Sequence, residues 1–437
     1  MQQFSRRRFI EWLGSAGGLS ALGMLPACGD KPGEEGKTVS KPLARVVIVG
    51  GGFGGATCAK YLHRFAPDVA ITLVERSERF ITCPFSNTVL SGINTMAYIT
   101  HGYEGLQKRY GINVVHDTVT AIDPLAKRVS LQTGKQLDYD ALVVSPGIDF
   151  RWEAIEGYDA NAAQNIPHAW QGGAQTETLR RQLEAMRDGG VVIIAPPRDP
   201  FRCPPGPYER ASMIANYLKT SKPRSKILIL DAKDKFSKQP LFMQGWEALY
   251  PGMVEWVSGS DLGEIERVDV ATRTLYSSFD MAYQADVINL IPPQQAGRIA
   301  HATGLVNADG WCPVDQRTFE SDIHKDIHVI GDASVAGQMP KSGFAANSHG
   351  KVCAAALTAK FKGIEMPEPS YVNTCYSLVS PEYGISVAAV YRLEQGQIKK
   401  VKGAGGVSPS DADQAYRQAE ARYAEGWYQS ITADAFT

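Results

Sequence analysis

The segment Val46-Val47-Ile48-Val49-Gly50-Gly51-Gly52-Phe53-Gly54-Gly55 constrains this chain more than any other. A short β-branched run enters a turn whose Gly50, Gly52 and Gly55 stand at G-x-G-x-x-G spacing, and Glu75 follows Ile71-Thr72-Leu73-Val74 twenty residues after Gly55. That order predicts strand, turn, helix and second strand, the setting in which a dinucleotide is held. Gly50 permits the tight turn, Gly52 lets backbone approach a pyrophosphate, and Gly55 lets the helix lie close on the sheet. Glu75 is placed to accept from a ribose hydroxyl. A glycine-rich surface turn would leave Glu75 unexplained.

A second apolar strand, Ile327-His328-Val329-Ile330, ends in Gly331-Asp332-Ala333. Between the two lies Ala141-Leu142-Val143-Val144-Ser145-Pro146-Gly147, another short strand and turn. The ordered set resembles two-dinucleotide flavoproteins. That resemblance implies FAD as the cofactor, with Gly331 and Asp332 at its ribityl chain.

At 437 residues the chain is long enough for two or three domains with real cores. Its formal net charge of −1 gives no bulk attraction for nucleic acid or an anionic membrane. No interior segment approaches the roughly 18 uninterrupted apolar residues of a membrane-spanning helix, so no integral membrane contact is expected. The expected class is α/β, with two Rossmann-like domains and an α+β C-terminal interface domain. The FAD domain is split, with residues 42–155 as its first part and 289–358 as its second. Residues 156–288 form the inserted domain, with strands at Val191–Ala195 and Ile227–Leu230, and Asp286–Leu290 is read as the return to the first domain. A hairpin is expected from Ile112–Ile122 with Arg128–Leu131. Residues 359–437 carry a strand pair near Ile385–Tyr391 and Ile398–Val401, then a helix from about Asp411.

The N-terminus reads as an address. Ser5-Arg6-Arg7-Arg8-Phe9-Ile10 before a mildly apolar stretch resembles a twin-arginine signal over residues 1–28, with 29–41 as a flexible leader. The expected location is therefore the periplasm, after export in the folded state, where disulfides persist.

The inserted domain has lost its nucleotide turn. After its first strand it reads Pro196-Pro197-Arg198-Asp199-Pro200-Phe201-Arg202-Cys203-Pro204-Pro205-Gly206. Prolines lack the N–H groups a pyrophosphate requires, which argues against consumption of a nicotinamide cofactor. Seven cysteines remain to be placed. Cys58 and Cys353 sit at helix positions that suit buried thiols. Cys312 packs near a strand and Cys28 belongs to the signal region. Cys83, Cys203 and Cys375 stand in unusual surroundings. No pair has the spacing of a c-type haem or of zinc ligands, so no metal site is expected in this chain.

Thr82-Cys83-Pro84-Phe85-Ser86-Asn87, Phe201-Arg202-Cys203-Pro204-Pro205-Gly206-Pro207-Tyr208-Glu209-Arg210, Pro340-Lys341-Ser342-Gly343-Phe344-Ala345-Ala346-Asn347 and Asn373-Thr374-Cys375-Tyr376 resemble the flavoprotein subunit of flavocytochrome c sulfide dehydrogenase. The resemblance implies a covalent bond from Cys83 to the flavin 8α-methyl. It implies a redox-active disulfide between Cys203 and Cys375 beside the isoalloxazine, attacked by sulfide, with Glu209 as proton acceptor; a static clamp and a surface carboxylate paired with Arg210 are the competing readings. A helix starting at Ser342–Gly343 would aim N–H groups at the flavin pyrimidine, with Lys341 adding positive charge. Electrons would then leave to a c-type cytochrome subunit carrying the haem. A sulfide:quinone oxidoreductase and a non-catalytic flavin-binding protein are the alternatives. The charged segment Asp411–Glu420 is read as a surface for protein contact.

Overall fold

The computed structural model describes residues 41–437. The twin-arginine motif, Cys28 and the leader up to residue 40 lie outside the described residues.

Two parallel sheets organise the chain, as the apolar β-branched runs predict for strands buried on both faces. In the first, the strand order is Ile327–Val329, Ala141–Val144, Arg45–Val49, Ala70–Val74, Asn113–Val115. Val46, Ile48, Leu73 and Leu142 are all buried there. In the second, the order is Val254–Val257, Lys226–Leu230, Val191–Ala195, Val287–Leu290. Helices Phe53–Phe65 and Gly343–Lys362 pack against each other, close enough that a Cβ on Gly350 would stand 2.6 Å from the Gly54 carbonyl oxygen.

Two expectations are corrected. Val287–Leu290 does not return the chain to the first sheet; it pairs in parallel with Val192–Ala195 of the second. An all-apolar run fits either buried sheet, so its composition cannot choose. The return comes later, where Gln294–Ala296 pairs antiparallel with Ile148–Phe150. Asn113–Val115 is the edge strand of the first parallel sheet, and only Val119–Asp123 makes the hairpin with Arg128–Leu131.

The C-terminal region holds three antiparallel strands, Ser370–Ser380, Tyr383–Glu394 and Gln397–Val407, followed by helix Gln414–Phe436. Asp413 caps that helix by accepting from the Tyr416 N–H at 2.8 Å. The charges expected on its surface partly turn inward. Arg417 and Glu420 form a buried pair at 3.4 Å, and Glu420 also accepts from the Ser386 and Ser408 hydroxyls. Among the described residues no helix is long and apolar enough to cross a membrane.

Candidate active site

The glycine turn leaves the first sheet with Gly50 at φ +97°, a left-handed conformation that favours glycine. Gly55 is held tighter still: a Cβ there would lie 1.9 Å from the Gly50 carbonyl oxygen. Glu75 accepts from the N–H of Gly51 at 2.8 Å and of Ser77 at 3.0 Å. Its carboxylate braces the turn from the second strand and keeps acceptor capacity for a ribose hydroxyl.

A chain of polar groups runs from the end of strand Ile327–Val329 to Cys83. Arg202 Nη1 lies 4.0 Å from Asp332 Oδ2, and Arg202 Nη2 donates to Cys83 Sγ at 3.3 Å. The Arg202 N–H donates to Gln294 Oε1 at 2.9 Å, and the Arg202 carbonyl accepts from Trp170 Nε1 at 3.0 Å. Asp332 Oδ1, Arg202 Nε and Gln294 Nε2 are buried without partners among the described residues. Leaving such groups unsatisfied is expensive, so their clustering beside a dinucleotide turn fits a polar ligand lying over them. FAD fits this cradle: Gly50, Gly52 and Gly55 would face its pyrophosphate, and Gly331 and Asp332 its ribityl hydroxyls. Burial raises the Asp332 carboxyl above its ordinary value, against the pull of Arg202 and Lys341. For Arg202 burial works the other way, but the charges of Cys83, Asp332 and Cys203 hold its pKa above the ordinary value.

Two of the three Lys341 donors are taken within the fold. Its ammonium donates to the carbonyl oxygens of Asp332 at 2.7 Å and Ser334 at 3.2 Å and lies 3.6 Å from the Trp311 ring centroid. Burial lowers its pKa to about 8. It shapes the Gly331–Ser334 turn. Ser342 caps helix Gly343–Lys362 through its hydroxyl, which accepts from the Ala345 N–H. The N–H groups of Gly343 and Phe344, in the first turn, have no acceptor inside the helix.

Three distant segments meet at this helix start. The Cys203 N–H donates to the Lys341 carbonyl at 2.8 Å. Ser342 Oγ donates to Asn373 Oδ1 at 2.6 Å, two residues before Cys375. The Leu378 N–H donates to Glu209 Oε1 at 3.0 Å. Cys203, Cys375 and Glu209 are thereby drawn together on a half-buried surface. Cys203 adopts φ +57°, unusual for a residue with a side chain, and its Sγ lies over Gly206, whose absent Cβ would stand 3.0 Å away. The disulfide expected between Cys203 and Cys375 is not formed here; both are free thiols. They remain within electrostatic reach of each other: burial pushes the Cys203 thiol well up, and Cys375, Glu209 and Cys83 push the same way.

Glu209 is not paired with Arg210. The Arg210 guanidinium is buried against Asn87 Oδ1, Asn289 Oδ1 and the carbonyls of His168 and Ala169. Glu209 instead accepts from Asn87 Nδ2 at 3.2 Å and from Leu378, and burial raises its pKa above the ordinary carboxylate value.

In comparisons with known proteins, a family model described as the central part of the "Sulfide dehydrogenase [flavocytochrome c] flavoprotein chain" matches residues 176–292. A flavocytochrome c sulphide dehydrogenase flavin-binding model matches residues 367–436. A pyridine nucleotide-disulphide oxidoreductase model matches residues 44–192. The sulfide dehydrogenase flavoprotein chain of Chlorobaculum thiosulfatiphilum is 62% identical over 45 residues, 10% of this chain and 94% of that sequence. The chain belongs to the flavocytochrome c sulfide dehydrogenase flavoprotein family. That family lies in the wider group of FAD flavoproteins that includes the sulfide:quinone oxidoreductases. A mitochondrial sulfide:quinone oxidoreductase of Dictyostelium discoideum is 25% identical over 321 residues, 69% of this chain and 68% of its own. The crystal structure of the Aquifex aeolicus sulfide:quinone oxidoreductase superposes with TM-score 0.71 at 18% identity, over 89% of this chain and 92% of that one, and shares the fold. The chain is thus a flavoprotein of an FAD-dependent oxidoreductase family, and the residues lining the cradle suit that cofactor.

Two groups of this flavoprotein's site carried no assigned role in the sequence. Asn87 bridges Glu209 and Arg210, although it stands in the quoted motif around Cys83. Lys238, before Gln239-Pro240 at a helix start, is buried beside Cys375. No spacing in the chain connects residue 238 to residue 375, so the sequence carries no signal for it.

Proposed function

We propose that this chain oxidises sulfide to zero-valent sulfur at the Cys203–Cys375 pair and hands the electrons, through FAD, to a separate c-type cytochrome subunit. The observation that carries this reading is the convergence of residues 203–209, 341–343 and 373–378 through the three hydrogen bonds among them. The family membership and the sulfide-oxidising names of its relatives support the substrate. The lost second nucleotide site supports a donor other than a nicotinamide. Asp231, which ends the second strand of the inserted sheet where a ribose-binding acid would stand, is fully buried and occupied by Tyr208 at 2.5 Å, Trp256 at 3.0 Å and Lys233 at 2.6 Å.

The chemistry begins from the oxidised pair. Hydrosulfide attacks one sulfur; the Cys203–Cys375 bond breaks, a bond to the incoming sulfur forms, and the other cysteine leaves as a thiolate. Glu209 takes the sulfhydryl proton of the new persulfide. FAD, when bound, supplies an acceptor for the electron pair that can release electrons one at a time. Arg202, held between Cys83 and Asp332, keeps positive charge on the cofactor side. The twin-arginine reading of Ser5–Ile10 supports a periplasmic setting for this chemistry, and with it a c-type cytochrome as acceptor.

Glu209 works as a base only when ionised. Because burial raises its pKa, the sulfide-dependent kcat/KM is expected to fall with decreasing pH through a limb lying above the usual carboxylate range. Glu209→Gln should lower the rate by about 10²-fold and erase that limb, leaving only the ionisation of sulfide itself. An unchanged acid limb in the variant would remove Glu209 from the proton path.

The acceptor decides between this reading and a quinone reductase, which the longer matches to sulfide:quinone oxidoreductases favour. Sulfide-reduced protein, kept anaerobic, is mixed with a c-type cytochrome or with a soluble quinone. Rapid reoxidation by cytochrome and slow reoxidation by quinone is the expected result. The reverse order would make the chain a quinone reductase, and a flavin untouched by sulfide would leave only a flavin-binding protein.

A further inference from the structure

Lys238 has a surrounding that packing alone does not explain. It is only 6% exposed, adopts φ +61°, and precedes helix Gln239–Leu249. A buried ammonium ordinarily has a carboxylate within contact distance. Lys238 has none among the described residues: its Nζ donates to the Ser377 hydroxyl at 2.8 Å and to the Cys375 carbonyl at 3.3 Å. Two of its three donors are taken, and the Phe242 ring centroid lies 5.7 Å away. The groups facing Lys238 are Cys375, Glu209, Cys203 and Glu420. Glu420 already accepts from two serines and pairs with Arg417, and Glu209 is held by Asn87 and Leu378. Asn87 and Leu378 are uncharged donors, so Lys238 faces two charges not paired elsewhere, the Glu209 carboxylate and the Cys375 sulfur.

We propose that Lys238 is a positioning residue that holds negative charge at Cys375, on the thiolate of the reduced enzyme and on the hydrosulfide that approaches it. This deepens the sulfide dehydrogenase reading and rests on it for the hydrosulfide part. Of the two cysteines, Cys375 is the nearer in effect: its own carbonyl accepts from Lys238, and its charge acts on Lys238 more strongly than that of Cys203. Cys375 feels Lys238 as the largest charge acting on it and Glu209 opposing it, whereas Cys203 feels Cys375, Glu209 and Cys83 with only Arg202 opposing them. Burial raises both thiols, and the lysine acts against that rise at Cys375. The cation thus makes the pair unequal: the Cys375 side attracts an anionic sulfur, while Cys203 faces the start of helix Gly343–Lys362 through its bond to Lys341.

The test needs no sulfide for its first arm. Dithiol-reduced protein is alkylated with iodoacetamide across pH, and modification of Cys203 and Cys375 is followed separately by peptide mass spectrometry. In the wild type, the Cys375 midpoint is expected below that of Cys203; the opposite order would overturn the proposal even without a variant. In Lys238→Met, the Cys375 midpoint should rise by about one pH unit and that of Cys203 by clearly less, and Lys238→Arg should restore it. A Met variant that leaves Cys375 unchanged, or shifts both cysteines equally, would refute the role. In the second arm, sulfide-driven bleaching of the flavin should slow about tenfold in Lys238→Met and recover in Lys238→Arg. Wild-type protein that alkylates as expected but ignores sulfide would sink the sulfide reading and leave the thiolate role standing.

Discussion

Cys203→Ser and Cys375→Ser are each expected to slow sulfide-driven bleaching of the flavin at least about 10³-fold, with the double variant no slower than either. Serine preserves size and the backbone at both places, so the bonds from the Cys203 N–H to Lys341 and from Ser342 to Asn373 survive. What disappears is the sulfur–sulfur bond that hydrosulfide attacks. Because the pair acts as a unit, losing one member removes the whole relay, and the losses do not add. Anaerobic stopped-flow absorbance of the flavin measures this directly. A single-serine variant bleaching at the wild-type rate would show that sulfide reaches the flavin by another path. The same outcome would favour the static-clamp reading of the pair.

Cys83→Ala is expected to convert the flavin from a group that survives denaturation into one that is released by it. Cys83 Sγ lies 3.2 Å from the Trp170 carbonyl and accepts from Arg202 at 3.3 Å, beside the run of unpartnered polar atoms that ends at Asp332. A thioether formed there would tie one end of FAD to the chain, while the glycine turn and Asp332 would hold the rest. The wild type should therefore carry flavin fluorescence through a denaturing gel and the variant should not. Native variant protein should still hold FAD, since neither the turn nor Asp332 is altered. Fluorescence retained on the gel by Cys83→Ala would move the bond to another residue.

The glycine turn was legible because backbone requirements are local. Gly50 at φ +97° and the contact that would place a Gly55 Cβ 1.9 Å from a carbonyl follow from spacing within ten residues. Val287–Leu290 was misplaced because its pattern, four consecutive buried residues, satisfies either sheet, and only strand register distinguishes them. Arg417 and Glu420 were misread because a charged pair on a helix is normally solvated. Here two serine hydroxyls and mutual pairing let both be buried. Lys238 was invisible because its meaning depends on a strand 137 residues further along the chain.

By itself the sequence determined the α/β class, the dinucleotide turn at Gly50–Gly55, the proline loop that replaces a second nucleotide turn, and the cysteines worth suspecting. Each of these is written in short-range chemistry: which residues can turn, donate an N–H or pack on a sheet. Only the tertiary structure decided which charges surround those cysteines. It placed buried Lys238 against the Cys375 backbone, detached Glu209 from Arg210, and turned Lys341 toward backbone carbonyls. Electrostatic interaction depends on distance and burial through space, and neither is encoded in separation along the chain.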